Sequence, residues 1–268
     1  MDLQLCGQTV AVWGAAGGIG AAIAQEFACE GANLALIDRS QERVDSLARQ
    51  LEAEHGIRSL ALAADVTVPE QVQAATDQIN AELGLPDHVI FAVAIGSGGF
   101  GFPSWNVPAD TWPTVLDVNL VGAVRVAHAV GPQMAERGHG SLQLISSVAG
   151  QIGSQTDPPY SASKAALINF AQCLARDLAP SGVRVNAICP GMVRTPLVES
   201  IWQAWSQRED ATADFQTWAE EKIGRLVPLG RWQEPADVAA AVVFLASVRG
   251  RNITGQTINV DGGYVMHS

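Results

Sequence analysis

The chain holds two tyrosines and two lysines, and one of each falls in the pentapeptide Tyr160-Ser-Ala-Ser-Lys164. On a helix, residues four apart share a face, so the phenol and the ammonium point to the same side. A tyrosine with a pKa near ~10 is a poor base at neutral pH; an ammonium a few ångströms away favours the phenolate and lowers that value. Tyr160 can then exchange a proton with an alcohol. Shortly before it, Ile145-Ser-Ser-Val-Ala-Gly150 reads as the end of a buried strand and a following loop. That places Ser147 near the sheet edge, where its hydroxyl can donate to a carbonyl oxygen gaining negative charge during reduction.

Elements that position such a pair must also hold a redox partner, and the start of the chain offers one. Thr9-Val-Ala-Val-Trp13 is an apolar strand running into Gly14-Ala-Ala-Gly-Gly-Ile-Gly20, followed by a helical stretch from Ala21 to Glu30. Strand, glycine turn and helix together suit a pyrophosphate: glycines allow close backbone approach, and the helix N-terminus favours negative charge. A second strand, Asn33-Leu-Ala-Leu-Ile37, ends in Asp38, at the distance expected for a carboxylate that holds an adenosine ribose. Asp38 accepts from both ribose hydroxyls and repels a 2′-phosphate. The glycine turn itself has no Lys or Arg to oppose that repulsion. Arg39 is the contrary signal, because a guanidinium can receive a phosphate. NAD is therefore expected over NADP.

Together these residues resemble the classical short-chain dehydrogenase/reductase family over essentially the whole chain. The glycine turn, Asp38, Asn119, Ser147, Tyr160, Lys164, Cys189-Pro-Gly191 and the stretch Gly255 to Gly263 occur in the family's order. The resemblance implies that Tyr160 is the catalytic acid/base, that Ser147 polarises the substrate oxygen, and that Lys164 lowers the tyrosine pKa and holds the nicotinamide ribose. It implies that Asn119, in Asp117-Val-Asn-Leu120, kinks its helix and positions a water for proton relay. Gly14, Gly18, Ile19 and Gly20 are the expected pyrophosphate contacts. Asp65 and Val66 lie on the adenine side, and Pro190, Gly191, Val193 and Thr195 lie around the nicotinamide. A homotetramer built through two apolar-faced helices, Trp112 to Glu136 and Tyr160 to Leu178, is likewise implied.

Two positions depart from the family pattern. Trp13 stands where the family usually has Thr, and Phe91-Ala-Val-Ala94 where it usually has Asn-Asn-Ala-Gly. Both members of a polar pair have become apolar together, which can be nearly neutral, whereas losing one strands a buried partner at a cost of ~1–3 kcal/mol. The expectation is a substituted packing contact with function intact. Gly96 is an alternative close-approach glycine for this loop.

Further strand-like runs, Ser59 to Ala63, Val89 to Val93, Ser141 to Ile145, Val183 to Ile188 and Thr257 to Val260, alternate with helical patterns. This predicts an α/β, Rossmann-type doubly wound parallel sheet with helices on both faces, in one domain spanning residues 1–268. Pro196 to Val227 reads as an insertion forming a substrate lid, with Trp202 and Trp205 on one helix face. These two, with Gln151, Ser147 and Tyr160, are the candidate substrate contacts; Gln155 and Asp157 add polar groups nearby.

Of 268 residues, 48% are hydrophobic, and the net charge is −11 with a pI near 4.8. The acidity argues against nucleic acid, anionic membranes and acidic carrier proteins as partners. Cys6, Cys29, Cys173 and Cys189 form no metal or redox spacing, so no metal is expected. Neither a signal peptide nor a membrane-spanning run is read, and a cytoplasmic location is expected. The expected activity is NAD-dependent oxidoreduction of a secondary alcohol or ketone, with a cyclic alcohol, polyol or sugar as substrate. The alternatives are a 3-oxoacyl thioester reductase of the same family and a non-catalytic dinucleotide-binding redox sensor.

Overall fold

Seven parallel strands order the molecule as β3-β2-β1-β4-β5-β6-β7. The computed structural model describes residues 2–99, 103–153, 157–208 and 214–266. The strands are β1 (Thr9–Trp13), β2 (Asn33–Asp38), β3 (Ser59–Ala63), β4 (His88–Phe91), β5 (Gly140–Ile145), β6 (Val183–Pro190) and β7 (Thr257–Val260). Strand order reverses between β1 and β4, so a crevice opens there at the carboxyl ends, the place where open α/β sheets take ligands.

Central strands buried on both faces read as continuous apolar runs, as β1 and β4 do. One face of the sheet is covered by α1 (Gly18–Cys29), α2 (Gln41–His55) and α9 (Pro235–Ala246), through residues such as Ile23, Leu51 and Val242. The other is covered by α3 (Pro69–Glu82), α5 (Gly122–Arg137) and α6 (Pro158–Leu178), through Ile79, Val126 and Leu167. These two cores make the fold a doubly wound, single-domain Rossmann-like sheet.

The strand expected over Val89 to Val93 is shifted. β4 runs His88–Phe91; the Ala92 amide still donates to the Trp13 carbonyl (2.8 Å), and the backbone then passes so close to Gly14 that a Cβ there would meet Ala92 at 2.8 Å. The helix expected from Trp112 to Glu136 is not uniform. A short α4 (Trp112–Leu116) passes through a π turn at Asp117–Val121 into α5, with Asn119 fully buried inside that turn. Single π turns of this kind mark functional positions in helices. Another correction concerns length: the helical run Ala109–Arg137 is 29 residues and apolar enough to cross a membrane by composition. Its buried face, including Val126, Val130 and Met134, packs into the core beside the sheet.

The predicted lid is a helix pair, α7 (Pro196–Arg208) and α8 (Phe215–Leu226). Asp214 caps α8 by accepting the Thr217 amide at 2.8 Å.

Candidate active site

The loop after β1 turns at Gly14, whose φ of +86° is open to glycine and strained for other residues. A Cβ there would sit 2.8 Å from the carbonyl carbon of Ala92, and one at Gly20 only 2.1 Å from the Gly14 oxygen. Glycine is therefore required both for the turn and for seating α1 against it. Gly17, Gly18, Ile19 and Gly20 line a cavity of about 400 Å³ that runs past the ends of β5 and β6. Gly14 and Gly17 also line a second cavity of about 140 Å³, walled by Asp38, Arg39, Asp65 and Val66.

Gly17, Ala92 and Ala94 belong to both cavities. The two chambers thus meet over the glycine turn, which fits a dinucleotide: one nucleoside on each side and the pyrophosphate against the turn. Asp38 closes β2 in the second chamber, accepting the Ala16 amide at 3.2 Å. Asp65 accepts from the amide and hydroxyl of Thr67 at 2.8 and 2.7 Å, and the hydroxyl holds the Asp65 carboxyl below its usual range. Pro190, Gly191, Val193 and Thr195 all line the first chamber. A Cβ on Gly191 would meet Asp261 at 2.8 Å, which explains the glycine there.

The sequence reading set Arg39 alone against Asp38, and the structure adds a second cation near the glycine turn. Arg43, in the first turn of α2, donates its guanidinium to the Ala16 carbonyl and lines the first chamber. It lies outside the turn in sequence, and no motif marks it.

Ser147, Tyr160 and Lys164 converge on the wall of the first chamber. Asp157 caps α6, accepting the Tyr160 amide (3.3 Å) with one oxygen and the Ser97 amide (2.8 Å) with the other. This fixes Tyr160 in the first turn of the helix. Lys164 follows one turn later, 1% exposed, donating to the Ile145 carbonyl at 2.8 Å. Its Nζ lies 5.5 Å from the centroid of the Tyr160 ring.

Burial pushes Tyr160 up to about 12, opposed by a hydrogen bond from the Ser147 hydroxyl and reinforced by Asp157 and Cys189. It pulls Lys164 down to about 8. The sequence expectation that Lys164 depresses the tyrosine is thus not met in the protein alone. Both groups leave water, and desolvation drives each toward its neutral form. The group that favours the phenolate is Ser147.

Asn119 does not line either chamber. Its side chain accepts from the Ile95 amide (2.8 Å) and donates to the Ile95 carbonyl (2.9 Å) and to Ser163 Oγ (3.0 Å). Ser163 in turn donates to the Tyr160 carbonyl at 2.7 Å. Asn119 therefore ties the loop after β4 to the tyrosine helix.

The tentative substrate residues divide. Gln151 is turned away: it donates to Asn259 on β7 at 2.7 Å and lines neither chamber. Trp202 packs edge-on against Phe215 at 5.8 Å and Trp205 against Trp218 at 6.0 Å. These contacts pin α7 to α8, and the first chamber is lined instead by Trp218, with Ile201, Met192, Lys222 and Tyr264. Gln155 lies outside the described residues.

A sheet with this switch point, a glycine-turn cradle and a Ser-Tyr-Lys wall define a nicotinamide-dependent oxidoreductase. The family model described as enoyl-(acyl carrier protein) reductase matches residues 14–265. The chain belongs to the short-chain dehydrogenase/reductase family and is an oxidoreductase acting on a secondary alcohol or ketone. It is 34% identical over 265 residues to D-threitol dehydrogenase of Mycolicibacterium smegmatis, covering 99% of this chain and 95% of that one. It is 33% identical over 266 residues to a 3-oxoacyl-(acyl-carrier-protein) reductase of Thermotoga maritima, covering 98% and 100%. The crystal structure of L-sorbose reductase from Gluconobacter frateurii, complexed with NADPH and L-sorbose, superposes with a TM-score of 0.91 at 30% identity over 100% of both chains.

Proposed function

We propose that this protein interconverts a polyol or sugar alcohol and the corresponding ketone, with NAD preferred over NADP. The observation that carries the reaction is the convergence of Ser147, Tyr160 and a buried Lys164 on one wall of the first chamber. The polyol assignment draws on the threitol and sorbose relatives. The NAD preference draws on Asp38, whose carboxylate faces the second chamber and suits ribose hydroxyls.

Gly14, Gly17, Gly18, Asp38 and Lys164 in the paired chambers would hold a nicotinamide dinucleotide, which would supply the hydride chemistry. Tyr160 gives its hydroxyl proton to the substrate oxygen during reduction and takes it back during oxidation. Ser147 donates to that oxygen as it gains charge, and its hydrogen bond favours the phenolate left behind. Lys164 would hold the nicotinamide ribose, while Asn119 keeps the π turn and the tyrosine helix in register. Reduction on an acyl carrier protein is the weaker reading, because a net charge of −11 opposes an acidic carrier. We place the enzyme in the cytoplasm as a homotetramer, a state that light scattering tests.

The test is NADH formation by the purified protein with NAD or NADP across a panel of polyols and sugars. Tyr160→Phe and Ser147→Ala are each expected to lower kcat by about 10²–10⁴-fold. Turnover that survives Tyr160→Phe would refute the assignment.

A further inference from the structure

The first chamber contains a cation that the reaction does not use. Lys222 projects from α8 and lines the chamber that also holds Ser147 and Tyr160. Its Nζ lies 4.6 Å from the centroid of the Trp218 ring, one helical turn away and also in the chamber wall. Among the described residues it forms no ion pair. The chamber's other positive groups are committed: Lys164 to the Ile145 carbonyl and Arg43 to the Ala16 carbonyl beside the glycine turn. Asp157 is the carboxylate in the lining, and both of its oxygens already accept backbone amides. An ammonium half-buried on an aromatic face, with no ion-pair partner among the described residues, is suited to an anion from outside the chain.

We propose that Lys222 binds a carboxylate of the substrate, so that the substrate is a polyhydroxy acid: a sugar-like chain with a secondary alcohol facing Tyr160 and a carboxylate facing the lid. This rests on the reaction proposed above and narrows it. A single ammonium is a point charge suited to a monoanion, whereas phosphate sites commonly add an arginine fork or a helix N-terminus. Burial and the neighbouring Arg225 both pull the Lys222 pKa down, and an incoming carboxylate relieves both penalties. The overall negative charge does not forbid the acid, because charges beyond about 8 Å are screened at physiological ionic strength. The Trp218 ring beneath Lys222 also packs against Trp205 and Phe215, so the cation stands on the aromatic cluster that joins α7 to α8.

The test compares aldonates with alditols of the same carbon chain: gluconate with sorbitol, galactonate with galactitol, threonate with threitol. Binding is measured calorimetrically with NAD present, and turnover is measured in parallel. At least one aldonate is expected to bind about 10- to 100-fold more tightly than its alditol, the size of a hydrogen bond to a charged group. Lys222→Met should lower that acid-to-alditol ratio by a similar factor and Lys222→Arg should recover most of it, with thermal melts verifying that both variants fold. Alditols binding as well as their acids, a ratio unmoved by Lys222→Met, or no aldonate binding at all would each overturn the inference. Tighter binding of an alditol phosphate than of any aldonate would overturn the choice of carboxylate. Aldonate binding without NADH formation would leave Lys222 its role and refute the reaction. Alditol turnover without acid preference would do the reverse.

Discussion

Trp13 and Phe91 stand opposite each other in register on β1 and β4, each 1% exposed. They occupy positions where the family places a polar pair, and here the contact beneath the cofactor crevice is apolar on both sides. Among the described residues the buried Trp13 indole N–H has no hydrogen-bond partner, the residual cost of this arrangement.

Trp13→Thr should therefore destabilise the protein by about 3 kcal/mol. Truncating a buried Trp costs roughly 3–5 kcal/mol, and removing the unpaired N–H returns part of it. The melting temperature should fall by roughly 6–12 °C. Combining it with Phe91→Asn should cost less than the sum of the two single changes, because the new polar groups pair. Strict additivity in a double-mutant cycle of melts would count against the paired substitution.

Asp38→Ala should move cofactor preference toward NADP. The change removes ribose acceptors and the repulsion of a 2′-phosphate while leaving Arg39 in the second chamber and Arg43 by the glycine turn. The ratio of kcat/KM for NAD over NADP should fall by about 10- to 100-fold. A wild-type protein that already prefers NADP would show that the two arginines outweigh the carboxylate.

What was legible in the sequence was local. The glycine turn and the Tyr160–Lys164 spacing each lie within one strand-turn-helix or one helical turn, so the chain itself fixes their geometry. Pairings between distant segments were not legible. Gln151 follows directly on the strand-end loop that carries Ser147, yet its partner Asn259 is 108 residues away and draws it from the cavity. Trp202 and Trp205 do share a helix face, as their spacing implied, but only packing against α8 reveals that this face meets Phe215 and Trp218. Arg43 and Lys222 lie in amphipathic helices where a cation normally reads as solvent-facing, and no periodicity distinguishes them.

Asp157→Asn should shift the pH dependence of alcohol oxidation. Burial raises the Tyr160 pKa most, the Ser147 hydrogen bond lowers it, and the Asp157 charge raises it further. Removing that charge lowers the tyrosine pKa, so the phenolate forms at lower pH and the rising limb of the oxidation profile moves to lower pH. Losing one cap acceptor should also cost about 1 kcal/mol of stability. A limb that moves upward or stays fixed would show that Asp157 acts on Tyr160 only as a helix cap.

His88 should make stability fall in mild acid. It is 5% exposed at the start of β4, with Nε2 2.7 Å from Gln8 Oε1 and Nδ1 2.8 Å from Ser141 Oγ. The Gln8 oxygen accepts, so Nε2 carries the proton and neutral Nδ1 accepts from the serine hydroxyl. Burial, with Arg184, Arg137 and His139 adding repulsion, pushes its pKa down to about 3. An unfolded histidine titrates near ~6.5, so between those values the unfolded chain binds the extra proton. The stabilisation is complete above pH ~6.5 and is lost progressively as pH falls toward the folded value. From pH ~7.5 to ~5.5 the loss should be about 1.4 kcal/mol, or roughly 3–6 °C in melting temperature. His88→Phe, which keeps an aromatic ring against Phe27 but cannot titrate, should lose stability at neutral pH because Gln8 and Ser141 lose their partner. Its melting temperature should be less sensitive to pH over the same interval by that amount. An unchanged pH slope in the variant would assign the acid sensitivity to another group.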